Sequence, residues 1–70
     1  MIVLRVEDKK NKKILKIAWP REVLETERGI LVIAEEGQYL LRDGEVKEIS
    51  AKFAAYLLAR RLIKSLPSYH

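Results

Sequence analysis

Lysine fills four of the five positions from Lys9 to Lys13, with Asn11 the only interruption. Ammonium groups at that density can follow a phosphate backbone, the counterions they release supplying the affinity. The same lysines would also protect a solvated hairpin turn from pairing with another chain's edge. A second basic group, Arg60, Arg61 and Lys64, comes near the end of the chain's last amphipathic segment. There it either extends a nucleic-acid patch or complements a helix dipole. The candidate nucleic-acid-binding residues are therefore Lys9, Lys10, Lys12, Lys13, Arg60, Arg61 and Lys64. Trp19 is the only tryptophan, and Arg21 stands two residues on. Its ring could stack on a base or wedge into a groove. A lone Trp beside a proline is more often a core or rim residue in a small domain.

Other chemistry is thinly represented. His70 is the only histidine and there is no cysteine, so no metal-ligand set can be assembled. Gly29, Gly37 and Gly44 are isolated turn glycines rather than a phosphate-cradling loop. No serine has a credible base, because His70 is terminal. Glu35 and Glu36 are adjacent acids, which on a strand would point to opposite faces. The sequence thus supports no catalytic residue, metal or cofactor, and no small-molecule substrate is evident. A non-enzymatic binding protein is the expectation.

The elements that must hold these residues are legible in outline. Residues 2–7 are rich in β-branched types and read as a strand, with 14–19 returning. Between them the lysine tip makes a basic hairpin. Pro20 cannot donate to a ladder, so it ends or bends the second strand. Residues 21–28 are ambiguous between a short strand over Val23 to Thr26 and one helical turn. Ile30 to Ala34 is the most apolar strand, and five apolar residues in a row imply burial on both faces. A helix can cover one face, and the hairpin or a second subunit the other. Gln38 to Arg42 and Glu45 to Ile49 flank Asp43-Gly44, a type I′ turn signal. The expected fold is α+β: a small curled antiparallel sheet of about five strands, an SH3-like barrel being one form of it, with one C-terminal helix.

Ser50 is a good N-cap, and the helix is expected to run from Ala51 to about Ser65, with Pro67 confirming the stop. At about 100° per residue, Ala51, Ala54, Ala55, Leu58, Ala59, Leu62 and Leu66 form one stripe expected on the sheet, Leu58 and Leu62 anchoring it. Phe53 and Leu57 lie to one side, and Tyr56 and Ile63 to the other. That apolar surface is wider than one sheet contact needs. Phe53 and Leu57 either pack on the curled sheet edge or, with Ile63, form a partner interface between copies of the chain.

Seventy residues make one domain, 1–70, read as a basic hairpin (1–19), acidic antiparallel strands (22–49) and a helix (50–66). Residues 1–21 carry seven Lys and Arg against Glu7 and Asp8; residues 22–49 carry eight acids against Arg28, Arg42 and Lys47. Residues 50–70 add Lys52, Arg60, Arg61 and Lys64 with no acid, and the whole chain is +4. Two side-chain amides and a single methionine beside many Lys and Glu give a thermophile-like composition. The absence of cysteine fits a reducing, cytoplasmic setting, and no apolar run is long enough to span a membrane.

The order of elements, the basic first hairpin and the helix carrying Leu57 to Arg61 resemble the seven-kilodalton chromatin proteins of thermophilic archaea. The resemblance spans the chain as an order of elements and includes no diagnostic motif. It implies DNA binding by a three-stranded sheet laid across the minor groove, with apolar side chains wedged between bases. Trp19 would correspond to that family's DNA-facing tryptophan, although it falls before the three-stranded segment. The matching segment here, 22–49, is net acidic and its strand Ile30 to Ala34 reads as buried, so no site residue is carried over.

Overall fold

The computed structural model describes residues 2–65, with Ser65 by its backbone alone. In chain order the elements are β1 (Val3–Asp8), β2 (Lys13–Ala18), β3 (Pro20–Thr26), β4 (Gly29–Ala34), β5 (Gln38–Arg42), β6 (Glu45–Ile49) and α1 (Ala51–Ser65). Strands β1 and β2 form a two-stranded antiparallel sheet, and β3-β4-β5-β6 form a four-stranded antiparallel meander. The class is α+β, as expected. Among the described residues, the single curled sheet of about five strands is corrected to six strands in two sheets, with no closed barrel.

The extra strand comes from the ambiguous stretch. Leu24 and Val23 pair with Leu31 and Val32, so the most apolar strand recruits its neighbour into the sheet. Pro20 opens β3 beside a register shift between Pro20 and Glu22, where a residue without an N–H is tolerated. Gly29 closes the β3–β4 turn at φ 134°, and a Cβ there would collide with the Leu41 carbonyl oxygen. Thr26 Oγ1 donates to the Gly29 carbonyl and accepts from the Arg28 N–H at the same turn. Asp43 and Gly44 both have positive φ, as the two-residue β5–β6 turn requires.

Both faces of β4 are covered within the chain. Val32 and Ala34 pack with Val6 and Ile17 of the hairpin. Leu31 packs on the opposite side with Leu40, Ala54 and Leu57. The molecule is therefore three layers: hairpin, meander, helix.

Ser50 caps α1, its Oγ accepting the Phe53 N–H at 3.1 Å. The face that docks overlaps the expected stripe at Ala54 and Leu58 but is turned toward Phe53 and Leu57. Leu57 is 0% exposed and Ala54 is buried, with Phe53 and Leu58 packed against them. Ala51, Ala55, Ala59 and Leu62 point outward instead. Docking through Phe53 and Leu57 sets these larger side chains, rather than Ala51, Ala55 and Ala59, against the sheet, and it carries the basic end of the helix to Glu27 of the β3–β4 turn and the Glu25 carbonyl of β3. Leu57 is thus corrected from an interface candidate to a core residue, and Phe53 is half-buried against that core, whereas Ile63 is 59% exposed. Leu66 and Pro67 lie outside the described residues, as do Met1, Tyr69 and His70.

Candidate nucleic-acid interface

The lysine tip is held by a buried carboxylate. Asp8 is fully buried at the end of β1. Its Oδ1 accepts the Asn11 N–H at 2.9 Å; its Oδ2 accepts Asn11 Nδ2 at 2.9 Å and the Val46 N–H at 3.3 Å. The Asn11 side-chain bond, then the Asn11 backbone bond, hold the Asp8 carboxyl below its ordinary value against the opposing effect of burial; the Val46 N–H and the nearby Lys13 charge add to this. The Lys10 N–H also donates to the Gly44 carbonyl at 3.1 Å. The tip is therefore lashed to β6 and the β5–β6 turn, and its lysines start from a fixed frame.

Those lysines are not equivalent. Lys10 is drawn to Glu45 at 3.5 Å. Lys13 pairs in register with Asp8. Lys9 and Lys12 are exposed and form no ion pair among the described residues. They border a depression of about 460 Å3 at the tip together with Glu7, Asp8, Lys13 and Ile14.

The hairpin's solvent face continues the positive surface. Leu4, Val6 and Asp8 of β1 face inward with Leu15 and Ile17 of β2, so Val3, Arg5, Glu7, Ile14 and Lys16 face outward. Arg5 stands directly opposite Lys16. Like charges in that position repel each other, and among the described residues no acid forms an ion pair with either. Glu7 is the one acid on this face. Arg5 and Lys16 were not among the sequence candidates. Their signal was symmetry: they lie equally far on either side of the Lys10–Asn11 junction, and so pair once the turn is centred there.

Trp19 lies at the hairpin's other end. It is 47% exposed, has φ 52° and donates its N–H to the Ile2 carbonyl at 2.9 Å. Ile2 and Val3 beside it are also exposed. Trp19 is thus a surface residue at the bend between β2 and β3.

The helix cations are engaged elsewhere. Lys64 Nζ lies 3.1 Å from Glu27 Oε2, Arg60 Nε lies 3.2 Å from Glu27 Oε1, and Arg61 Nε donates to the Glu25 carbonyl at 3.0 Å. The bond from Lys64, then that from Arg60, hold the Glu27 carboxyl below its ordinary value. These three cations fasten α1 to β3 and the β3–β4 turn. They pack with the helix on the meander face opposite the hairpin, so the structure does not join them to the lysine tip.

Among the described residues no group of acids or histidines is placed to hold a metal ion, and no helix is long and apolar enough to cross a membrane. Comparison with known proteins finds no family model, curated protein or solved structure that matches this chain.

Proposed function

We propose that this chain is a non-enzymatic protein that binds nucleic acid through the solvent face of the β1–β2 hairpin. The observation that carries the reading is a set of cations on one two-stranded ribbon that form no ion pair among the described residues: Arg5 and Lys16 on its solvent face, and Lys12 and Lys9 at its tip, the Lys9 Cβ resting near Gly44 of the β5–β6 turn. A ribbon of this kind is narrow enough to enter a major groove. Trp19, exposed at the ribbon's base, offers a stacking surface to an unpaired base. The interface thus differs from a three-stranded sheet laid across the minor groove.

Fluorescence anisotropy with labelled duplex and single-stranded DNA tests the reading over a range of salt. Each lost phosphate contact is expected to flatten the slope of log K against log salt by about 0.9 on duplex. Arg5→Ser with Lys16→Ser flattens it, whereas Arg60→Gln leaves it unchanged because Arg60 is held by Glu27. Absent binding at low salt, or binding indifferent to salt, would sink the proposal.

A second reading, self-association through α1, is favoured by the helix's outward face. Ala51, Ala55, Ala59 and Ile63 are exposed there beside Tyr56, and Lys52 is the charge among them. Sedimentation of wild type and Ala59→Glu decides it. A dimer that the substitution splits supports it, and a monomeric wild type at tens of micromolar removes it. Leu57→Glu is unsuitable for this test, since it would place a charge in the core.

A further inference from the structure

Helix α1 leaves β6 at Ser50 and ends beside the β3–β4 turn, so it does not cover the whole meander face beneath it. A cleft of about 390 Å3 remains, floored by Leu40, Ile49 and Phe53. Its rim is cationic: Lys10 from the hairpin tip, Arg28 from the β3–β4 turn, Arg42 from β5 and Lys47 from β6. Two acids oppose them. Glu45 is shared between Lys10 at 3.5 Å and Lys47 at 3.6 Å, and Asp43 is 3.5 Å from Arg42. Arg28 forms no ion pair among the described residues, so the rim keeps an excess of positive charge. The Phe53 ring is stacked on Tyr56 with centroids 6.1 Å apart and planes 11° from parallel.

We propose that this cleft binds a small aromatic anion, its flat body on Leu40, Ile49 and Phe53 and its carboxylate or phosphate on the Arg28, Arg42 and Lys47 rim. The volume is within the range of small-molecule sites, and the lining joins three apolar side chains to six charged ones. An inorganic anion gains nothing from the apolar floor, having no surface to bury there. A neutral aromatic gains no charge pairing from the rim, whose exposed Arg42 and Lys47 stay hydrated beside it. Neither group alone selects such a ligand, and the topology brings both together from four separate elements. The site is distinct from the hairpin's solvent face, and Lys10 alone belongs to both tip and cleft.

The experiment is an amide NMR titration of the full chain with 2-naphthoate and 2-naphthyl phosphate. Inorganic phosphate supplies the head alone, and 2-naphthalenemethanol supplies the body alone. Both naphthyl anions are expected to shift Arg42, Lys47 and Phe53 amides saturably in the millimolar range or below. The two controls should bind at least about tenfold more weakly. Arg42→Ser with Lys47→Ser should weaken the anions by about tenfold, and Phe53→Ala should weaken them without changing head-group preference. Glu36→Gln, in the exposed connection between β4 and β5, should leave the affinity unchanged. Thermal melts verify that each variant is folded. Equal binding of the neutral compound, shifts confined to the hairpin or the outer helix face, or no saturable shift overturns the proposal.

Discussion

Lys12 and Trp19 both have positive φ, although neither is a glycine. A left-handed conformation costs an L-residue about 1–2 kcal/mol, whereas glycine pays about 0.5–1 kcal/mol in backbone entropy. Lys12→Gly is therefore expected to raise stability by roughly 0.5–1 kcal/mol in urea unfolding. It should also flatten the salt slope of DNA binding, since one exposed cation is lost. A destabilised variant would show that Lys12 is held by contacts its φ does not reveal. Trp19→Gly relieves the same strain but uncovers what the half-buried indole packs on, so urea unfolding should show a net loss of stability. Single-stranded DNA binding by the folded variant falls by about 1–3 kcal/mol if the ring stacks on a base. Intrinsic fluorescence reports on the same residue, because Trp19 is the only tryptophan. Neither conformation was legible in the sequence. Asp43-Gly44 announces positive φ by residue type, but Lys12 is bent by the Asp8 cap on Asn11, and Trp19 lies where the chain passes from one sheet to the other.

At the scale of elements, sequence periodicity located the helix, its Ser50 cap and the hairpin around the lysines. It did not decide which side of the helix docks. The alanine stripe and the Phe53–Leu57 stripe are both apolar, and the helix's own composition does not rank them. The choice depends on what lies opposite: the Leu31 and Leu40 surface for Leu57, and Glu27 with the Glu25 carbonyl for the three cations. The candidate site was legible as far as the lysines. Arg5 and Lys16 needed the register, and the separation of the helix basics from the tip needed the layer order. Leu57→Ala should cost about 2–5 kcal/mol, the range for truncating a buried leucine. Ala59→Ser, on the outward face, should stay within about 0.5 kcal/mol. Urea unfolding of both variants checks the docked face, and equal losses would contradict it.

The whole molecule is thin for its length, with a radius of gyration of 13.4 Å where a compact chain of this size has about 11 Å. Among the described residues eight apolar side chains are buried, divided between the two sides of the meander. Each outer layer is therefore also fixed to the middle one by a carboxylate: Asp8 ties the hairpin to β6, and Glu27 ties α1 to the β3–β4 turn. Both carboxyls are held below their ordinary values of 3.8 and 4.5. Depressed folded-state values mean that the unfolded chain takes up these protons first as pH falls. The stability they contribute is therefore complete above the unfolded values and drains away as pH drops through the folded ones. Urea midpoints should be flat above about pH 5.5 and decline below about pH 4.5 as these two groups titrate. Glu27→Gln should lower the plateau and make the acid decline shallower, because the helix tie no longer titrates. Asp8→Asn should do the same for the hairpin tie and loosen the tip as well, since an amide N–H would face donors from Asn11 and Val46. An acid decline of unchanged slope in both variants would mean that the layers are held by apolar contact alone.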